Sequence, residues 1–460
     1  MSLDNIHSVY FVGAGGIGMS AIARYFNARG LFVAGYDKTA TPLTDQLQAE
    51  GISLHFEDSV ELIPNQIKNG EKDQVLVVYT PAIPQNHSEL TFFQKEGFTI
   101  LKRSGVLGLI TENSFSVAVA GTHGKTTTSV LISHILRETG YDCNAFLGGI
   151  ASNYNSNVLL SEESDTTVVE ADEYDRSFLT LYPNIAIITS MDADHLDIYG
   201  DKGALAESFH LFTDHIAPEG LLIYRKGLDV EHNQMLSYSI TEEADIYAEN
   251  IHVSDGTFKY DVRSSKGDLK NIQLGLPGKH NIENSIAAIA VAQELGIDNE
   301  KIKGALENFA GVKRRFEYQV KTPDLVYIDD YAHHPEELKA CISSVKELYP
   351  NKKITGIFQP HLFTRTRDFA DEFAQSLELL GELILLEIYP ARELPIAGVD
   401  SRMLLNKVNL EHKMVCSKKE VIENIRDREL EVLLTLGAGD IDQLVNPIKE
   451  ELLKKTETIG

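Results

Sequence analysis

The chain has 460 residues, 43% apolar and 24% charged, a composition that suits a soluble globular protein of two to four domains. Its 42 basic and 68 acidic side chains leave a formal charge of -26, which excludes a broad nucleic-acid-binding surface. Anionic substrates must then be held by local glycine loops and individual arginines. Cys143, Cys341 and Cys416 are far apart and form no CxxC pair, which fits a reducing cytoplasm and excludes a structural zinc site. Asp4 and His7 precede only a short apolar stretch, so the N-terminus reads as a strand and not as a secretion signal. The longest apolar runs, such as Leu383 to Ile388, fall short of the roughly 20 residues that span a bilayer, so no membrane insertion is expected.

The first module runs over residues 1–108. Val9 to Val12 reads as a strand, Gly13-Ala14-Gly15-Gly16-Ile17-Gly18-Met19-Ser20 as a glycine turn entering a helix, and Leu31 to Gly35 as the next strand, followed by Asp37. Gly13, Gly15 and Gly18 satisfy GxGxxG, with an acid about 20 positions on. The same backbone physics holds any nucleotide diphosphate, so the turn by itself does not name a dinucleotide. An NAD-dependent oxidoreductase stays open at this point.

The second module, 109–315, opens on Phe115, Val117 and Val119 at strand spacing, then Gly121-Thr122-His123-Gly124-Lys125-Thr126-Thr127-Thr128, then Val130, Ile132, Ile135 and Leu136 at helical spacing before Gly140. A glycine loop between strand and helix turns backbone N–H groups and the positive helix end toward phosphate. There Lys125 can reach the outer phosphates and the Thr126 hydroxyl can ligate magnesium. ATP is the expected occupant, although a strict Walker A loop would need glycine at Val119. Thr166 to Val169 opens onto Glu170-Ala171-Asp172-Glu173, and Ile185 to Thr189 onto Asp192-Ala193-Asp194-His195. In a parallel sheet these ends gather at the carboxyl edge beside the loop, so Glu170 and His195 are candidate magnesium ligands. Asn281 and Asn284 fall one turn apart at the start of a helix; one suits a capping role and the other the base or ribose of the nucleotide.

The third module, 316–460, alternates strand candidates at Leu325 to Ile328, Ile354 to Phe358, Leu383 to Ile388 and Val432 to Leu436 with helical patterns after Pro335, Arg367, Lys418 and Asp440. Polar strand ends recur in Asp329-Asp330-Tyr331-Ala332-His333-His334-Pro335 and in Gln359 to Asp368. The expected fold class is α/β, in three consecutive domains.

Taken in order, FVGAGGIGMS, GTHGKTTT, EADE, DADH, GKHNIEN, GVKRRFE, DDYAHHP and QPHLFTRTRD resemble the motif series of the Mur ligases, ATP-dependent amide-forming enzymes of peptidoglycan precursor synthesis. The resemblance covers nearly the whole chain. It implies a Rossmann-like UDP-sugar domain, a central P-loop-type domain for ATP and magnesium, and a C-terminal Rossmann-like domain for the amino acid. On that resemblance Gly15, Gly16, Ile17, Gly18, Met19, Ser20 and Asp37 lie against the UDP-sugar, and Gly121 to Thr127, Asn281, Asn284 and Arg315 against ATP. Lys125 holds phosphate, Thr126 and Glu170 ligate magnesium, and His195 serves a second ion. Asp330 completes the catalytic group, and Tyr331, His333, His361 and Arg365 surround the amine substrate.

The reaction so implied joins L-alanine to the lactyl carboxylate of UDP-N-acetylmuramate through an acyl phosphate, with His195, His333 and Asp330 all open as proton acceptor. A neighbouring family activity would add a preformed tripeptide instead. Two departures stand out: Leu362 replaces the arginine common in related alanine ligases, leaving Arg365 or Arg367, and no lysine lies between Lys202 and Lys226 to serve the second metal.

Overall fold

In a computed structural model of the chain, the described residues are 3–84, 86–192, 199, 202–254, 256–391, 393–426 and 428–459. The first sheet is formed by β1 (Ser8–Val12), β2 (Phe32–Tyr36), β3 (Ser53–His55), β4 (Val75–Tyr79) and β5 (Thr99–Lys102), in the order β3-β2-β1-β4-β5. Every pairing is parallel. Helices cover such a sheet on both faces, which is why β1 and β4 are apolar along their length instead of alternating. The order reverses between β1 and β4, and a crevice opens there at the carboxyl ends of the strands, beside the start of the helix Ile17–Ala28.

The second sheet contains β6 (Phe115–Ala120), β7 (Asn144–Ala151), β8 (Ser156–Leu159), β9 (Thr166–Glu170), β10 (Ile185–Ile188), β11 (Leu221–Arg225), β12 (Met235–Ser239), β13 (Ile246–Ser254), β14 (Thr257–Ser264) and β15 (Leu269–Gln273). Its order is β15-β14-β13-β12-β11-β10-β6-β9-β7-β8. Strand β6 lies between β9 and β10 in parallel register, with Val119 opposite Glu170 and Ala120 opposite Ile188. The phosphate loop therefore leaves the sheet with one polar strand end on each side. The helix Lys125–Glu138 follows the loop and buries Val130, Leu131, Ile135 and Leu136.

The third sheet comprises β16 (Glu317–Lys321), β17 (Val326–Asp330), β18 (Ile354–Phe358), β19 (Glu382–Leu385), β20 (Lys413–Val415) and β21 (Val432–Leu436), in the order β16-β17-β21-β18-β19-β20. Only β16 runs antiparallel to its neighbour. The four strands expected from sequence are all present, β19 ending earlier than its apolar run, while β16 and β20 add two edges. The helix Ser401–Lys407 was likewise not expected; Asp400 caps it, accepting the Met403 N–H at 2.7 Å.

The backbone divides into two compact units, Met1–Ala248 with Val262–Leu269 and Glu283–Leu306, and Glu249–Asp261 with Lys270–Ile282 and Glu307–Gly460. In the first unit one apolar core runs from Val9 and Phe11 through Tyr25 and Phe146 to Phe178 and Phe209. Tyr25 and Phe146 bring their rings to 5.3 Å, and Asn157 accepts from Arg24 at 2.9 Å. The second unit has its own core around Tyr327, Ile357, Ile384 and Leu433. Among the described residues no helix is long and apolar enough to cross a membrane.

Candidate active site

The loop after β6 owes its shape to glycine. Gly124, immediately before the helix, has φ +85, a left-handed conformation that costs an L-residue roughly 1–2 kcal/mol. A Cβ there would also stand 2.7 Å from Asn284 Oδ1, so the expected nucleotide contact Asn284 sits directly on the loop. The loop is fastened from β10. Ser190 Oγ lies 2.9 Å from Thr122 Oγ1 and accepts the His123 N–H at 2.8 Å, while Thr189 Oγ1 donates to the carbonyl of Ala120 at 3.0 Å.

Lys125 and Thr126, the first residues of the helix, reach acids from the end of β9. Lys125 Nζ donates to Glu173 Oε2 at 2.7 Å and to the carbonyl of Gly121 at 2.6 Å. Burial opposes the ammonium charge, but Glu173, Asp172 and Glu170 outweigh it and hold the Lys125 pKa above its ordinary value. Thr126 Oγ1 lies 2.9 and 3.0 Å from the two Glu170 oxygens, and Glu170 Oε2 also accepts the Gly148 N–H at 2.9 Å. Any side chain on Gly148 would overlap that carboxylate. Hydroxyl and carboxylate side by side at a phosphate loop are the hard oxygen donors that magnesium takes, so Thr126 and Glu170 fit the ion expected of them. Among the described residues no three His, Cys, Asp or Glu side chains gather as a metal cluster, so these two donors would be completed by phosphate and water. His195 lies outside the described residues.

A cleft of about 690 Å³ opens at the reversal point of the first sheet. Gly16, Ile17, Gly18, Met19 and Asp37 line it, whereas Gly15 and Ser20 do not. The Gly15 N–H donates to Asp37 Oδ2 at 2.7 Å and the Thr39 N–H to Asp37 Oδ1 at 3.1 Å. Asp37 therefore braces the glycine turn with one oxygen and its own strand end with the other, an arrangement unlike the ribose-binding acid of a dinucleotide site. Ser20 is buried and donates to the carbonyl of Ile17 at 2.9 Å, tightening the helix start. Arg103, at the end of β5, also lines the cleft, so close to the turn that a Cβ on Gly18 would overlap its guanidinium. No ion pair engages Arg103 among the described residues, and sequence reasoning passed over it. Its only signal was a lone arginine after a short strand.

The second unit gathers its own polar strand ends. Arg314 and Phe316 both have left-handed backbone, φ 62 and φ 50, in the turn before β16. Asp330 at the end of β17 pins that turn: its Oδ2 accepts the Phe316 N–H and its Oδ1 the Ala332 N–H, both at 2.7 Å. Burial raises the Asp330 acid to about 6 against the pull of Arg315. The Arg315 guanidinium stacks 5.0 Å over the Tyr331 ring and approaches Glu337 Oε1 at 3.8 Å. Glu337, in the first turn of the helix Pro335–Leu348, accepts the backbone N–H groups of His333 and His334 at 3.0 and 3.3 Å. His333 Nδ1 lies 3.1 Å from both the Tyr331 carbonyl and Glu337 Oε2, and its ring is 6.0 Å from that of His361.

Tyr331, His333 and His361 thus form one group. Arg365 lies on the short helix Phe363–Asp368, and Arg367 pairs with Asp368 at 2.7 Å on the surface. Asn281 donates to the carbonyl of Pro277 at 2.6 Å, fixing the entry to the helix Lys279–Glu294. Glu337, Glu173, Thr189 and Ser190 were not singled out from sequence. Each is an ordinary polar residue in a motif until the fold brings it against a loop.

Comparison with known proteins places this geometry. The Mur ligase family, catalytic domain, matches residues 8–114, the Mur ligase middle domain 119–292 and the Mur ligase, glutamate ligase domain, 314–441. The chain is 53% identical to the UDP-N-acetylmuramate--L-alanine ligase of Parabacteroides distasonis, with 99% of each covered, and 50% identical to that of Flavobacterium psychrophilum, covering 99% of this chain and all of the relative. The crystal structure of the UDP-N-acetylmuramate-alanine ligase from Thermotoga maritima superposes with TM-score 0.79 at 28% identity, covering 97% of this chain and 99% of the other. These likenesses favour amide ligation over the oxidoreductase and tripeptide alternatives. With full-length relatives at this identity and the family's three domains matched in sequence order, the chain belongs to the Mur ligase family.

Proposed function

We propose that the chain joins L-alanine to the lactyl carboxylate of UDP-N-acetylmuramate, consuming ATP and releasing ADP and phosphate, in the cytoplasm. The observation that carries the reading is the loop after β6, where Lys125, Thr126 and Glu170 converge, in a chain half identical to enzymes named for this reaction. Residues 1–108 hold the UDP-sugar, 109–315 hold ATP, and 316–460 present the amino acid. Gly16, Ile17, Gly18, Met19 and Arg103 serve the sugar diphosphate, with Gly15, Ser20 and Asp37 holding the turn in shape for it.

The lactyl carboxylate oxygen attacks the γ-phosphorus of ATP, the β–γ bridging oxygen leaves with ADP, and an acyl phosphate forms. Two anions must meet in this step. Lys125 sits beside the phosphates to offset their repulsion and Arg315 adds a second cation. Thr126 and Glu170 would hold magnesium, with His195 serving a second ion; bound there, the metal neutralises phosphate charge. The neutral amine of L-alanine then attacks the carbonyl carbon, and phosphate departs with the oxygen the carboxylate brought.

For the amine proton, His333 is the preferred acceptor. Its Nδ1 faces the Tyr331 carbonyl, which only accepts, so Nδ1 carries the hydrogen and Nε2 is left as the base. Asp330 already spends both oxygens on backbone N–H groups. The test is ADP release by the purified chain, which should require UDP-N-acetylmuramate and L-alanine together. No release with both present, or equal release with a tripeptide in place of alanine, contradicts the proposal.

A further inference from the structure

The first sheet buries a group of titratable side chains that the proposed reaction leaves unused. The Tyr10 hydroxyl, on β1, is 2.7 Å from Glu89 Oε2 and 2.8 Å from His55 Nε2 at the end of β3. Tyr10 and Glu89 are both fully buried, and His55 Nε2 also stands 3.4 Å from Glu89 Oε1. His55 Nδ1 lies 2.9 Å from the carbonyl of Glu57, which can only accept, so the ring hydrogen of neutral His55 sits on Nδ1. Nε2 is then an acceptor.

Counting hydrogens exposes a deficit. If Glu89 is ionised and His55 neutral, the single Tyr10 hydrogen faces two acceptors, one buried and one part-buried, and one close contact has no hydrogen in it. One extra proton completes the chain. Placed on Glu89, it is donated to the Tyr10 oxygen, and Tyr10 in turn donates to His55. Burial raises the Glu89 acid to about 7, partly opposed by Tyr10 and Ser59, and burial lowers the basicity of His55, so the extra proton resides on the carboxyl.

This group forms the back of the cleft wall. Glu89 Oε1 accepts the Ser59 N–H at 3.1 Å, beside the cleft-lining Asp58, whose own carboxylate accepts the Ser88 N–H at 3.0 Å and the Glu89 N–H at 3.3 Å. Cleft-lining His87 has Nδ1 3.3 Å from Asp58 Oδ1, and the Tyr36 ring packs 5.8 Å from His55 and 4.5 Å from His87. The charged and titratable neighbours are Tyr10, Tyr36, Asp37, His55, Glu57, Asp58, His87 and, on the helix Asn65–Lys68, Lys68. Lys68 is spent on the Val60 carbonyl and Glu61, and among the described residues no lysine or arginine pairs with Glu89.

We propose that Glu89, Tyr10 and His55 are positioning residues that share one buried proton, and that this proton sets the wall of Tyr36, Asp58 and His87 against which a nucleoside diphosphate sugar binds. Losing it places a carboxylate beside Asp58, opens the hydrogen-bonded chain and loosens the wall. The inference rests on the assignment of the cleft to the UDP-sugar.

Calorimetric titration with UDP-N-acetylmuramate tests it, because that ligand has no titrating group of its own between pH 6 and 8. Affinity for the wild-type protein should fall about tenfold from pH 6 to pH 8, the effect of one proton released near 7. Glu89→Gln, whose amide can donate to Tyr10 while its oxygen still accepts from Ser59, should bind with nearly constant affinity. A flat wild-type profile, or the same slope in Glu89→Gln, overturns the proposal. If the sugar nucleotide binds at no pH, the cleft assignment fails, and the shared proton is judged by infrared spectroscopy of the wild-type protein. A buried carboxylic-acid band that titrates near pH 7 supports it, and its absence at pH 6 refutes it.

Discussion

Two glycine loops in this chain have the same design and different equipment. Each follows a strand with a parallel neighbour on either side and each enters a helix, after β1 and after β6. The loop after β6 carries its own cation, Lys125, held by Glu173, and its own oxygen donors, Thr126 against Glu170. The loop after β1 has no charged residue between Gly13 and Ser20, and the cation that reaches it, Arg103, comes from the far end of β5. Backbone N–H groups and a helix end suffice to hold a diphosphate that does not react. Moving a phosphoryl group requires fixed charge where new charge develops. On the proposed function, the contrast separates binding from chemistry within one fold element.

Substitutions should separate them too. Lys125→Ala should lower kcat by about 10²–10³-fold, the scale of losing one preorganised charge, while UDP-sugar binding stays as in the wild type. Lost sugar binding would break the comparison. Glu170→Ala should raise the magnesium needed for half-maximal turnover by about 10- to 100-fold, read by titrating the metal at fixed ATP. Arg103→Ala should raise KM for the UDP-sugar by roughly 10- to 100-fold with kcat little changed, as expected for a charged hydrogen bond worth about 1.5–3 kcal/mol. A fall in kcat without a change in KM would move Arg103 into the chemistry.

Gly124→Ala forces an L-residue into left-handed backbone against Asn284 and should cost roughly 1–2 kcal/mol in urea unfolding. A separate effect is expected on the pH dependence of stability. Folded Glu89 keeps its proton up to about 7 whereas an exposed glutamate releases it near 4.5, so the native state binds more protons in that window and wild-type stability falls as pH rises through it. Glu89→Gln should remove that part of the slope and leave the remainder.

The contrast also explains what could be read without coordinates. Strands β1, β6, β9, β10, β17, β18 and β21 sit inside their sheets and bury nearly every residue around a short apolar run, so they stand out from their surroundings. Strands β16 and β20 lie at sheet edges with half-exposed side chains, and β13 and β15 mix buried with exposed residues, so their sequences resemble loops. Lys125, Thr126 and Glu170 were legible because a short motif carries their chemistry. Arg103, Glu173, Ser190 and Glu337 were not, since their meaning depends on which strand lies beside which. Asp37 and Asp330 were read as acids beside a ligand, and each spends one oxygen on the backbone of a distant turn and the other on the N–H two residues further along its own strand end. Sequence spacing locates such an acid but does not reveal how its oxygens are engaged.

The central claim is that the loop after β6 activates a carboxylate by phosphorylating it. Its most direct test is to carry heavy oxygen in the lactyl carboxylate of UDP-N-acetylmuramate, turn the enzyme over with ATP and L-alanine, and analyse the released phosphate by mass spectrometry. One labelled oxygen per phosphate is the predicted result. Phosphate free of label, with the amide formed in normal yield, would contradict the account.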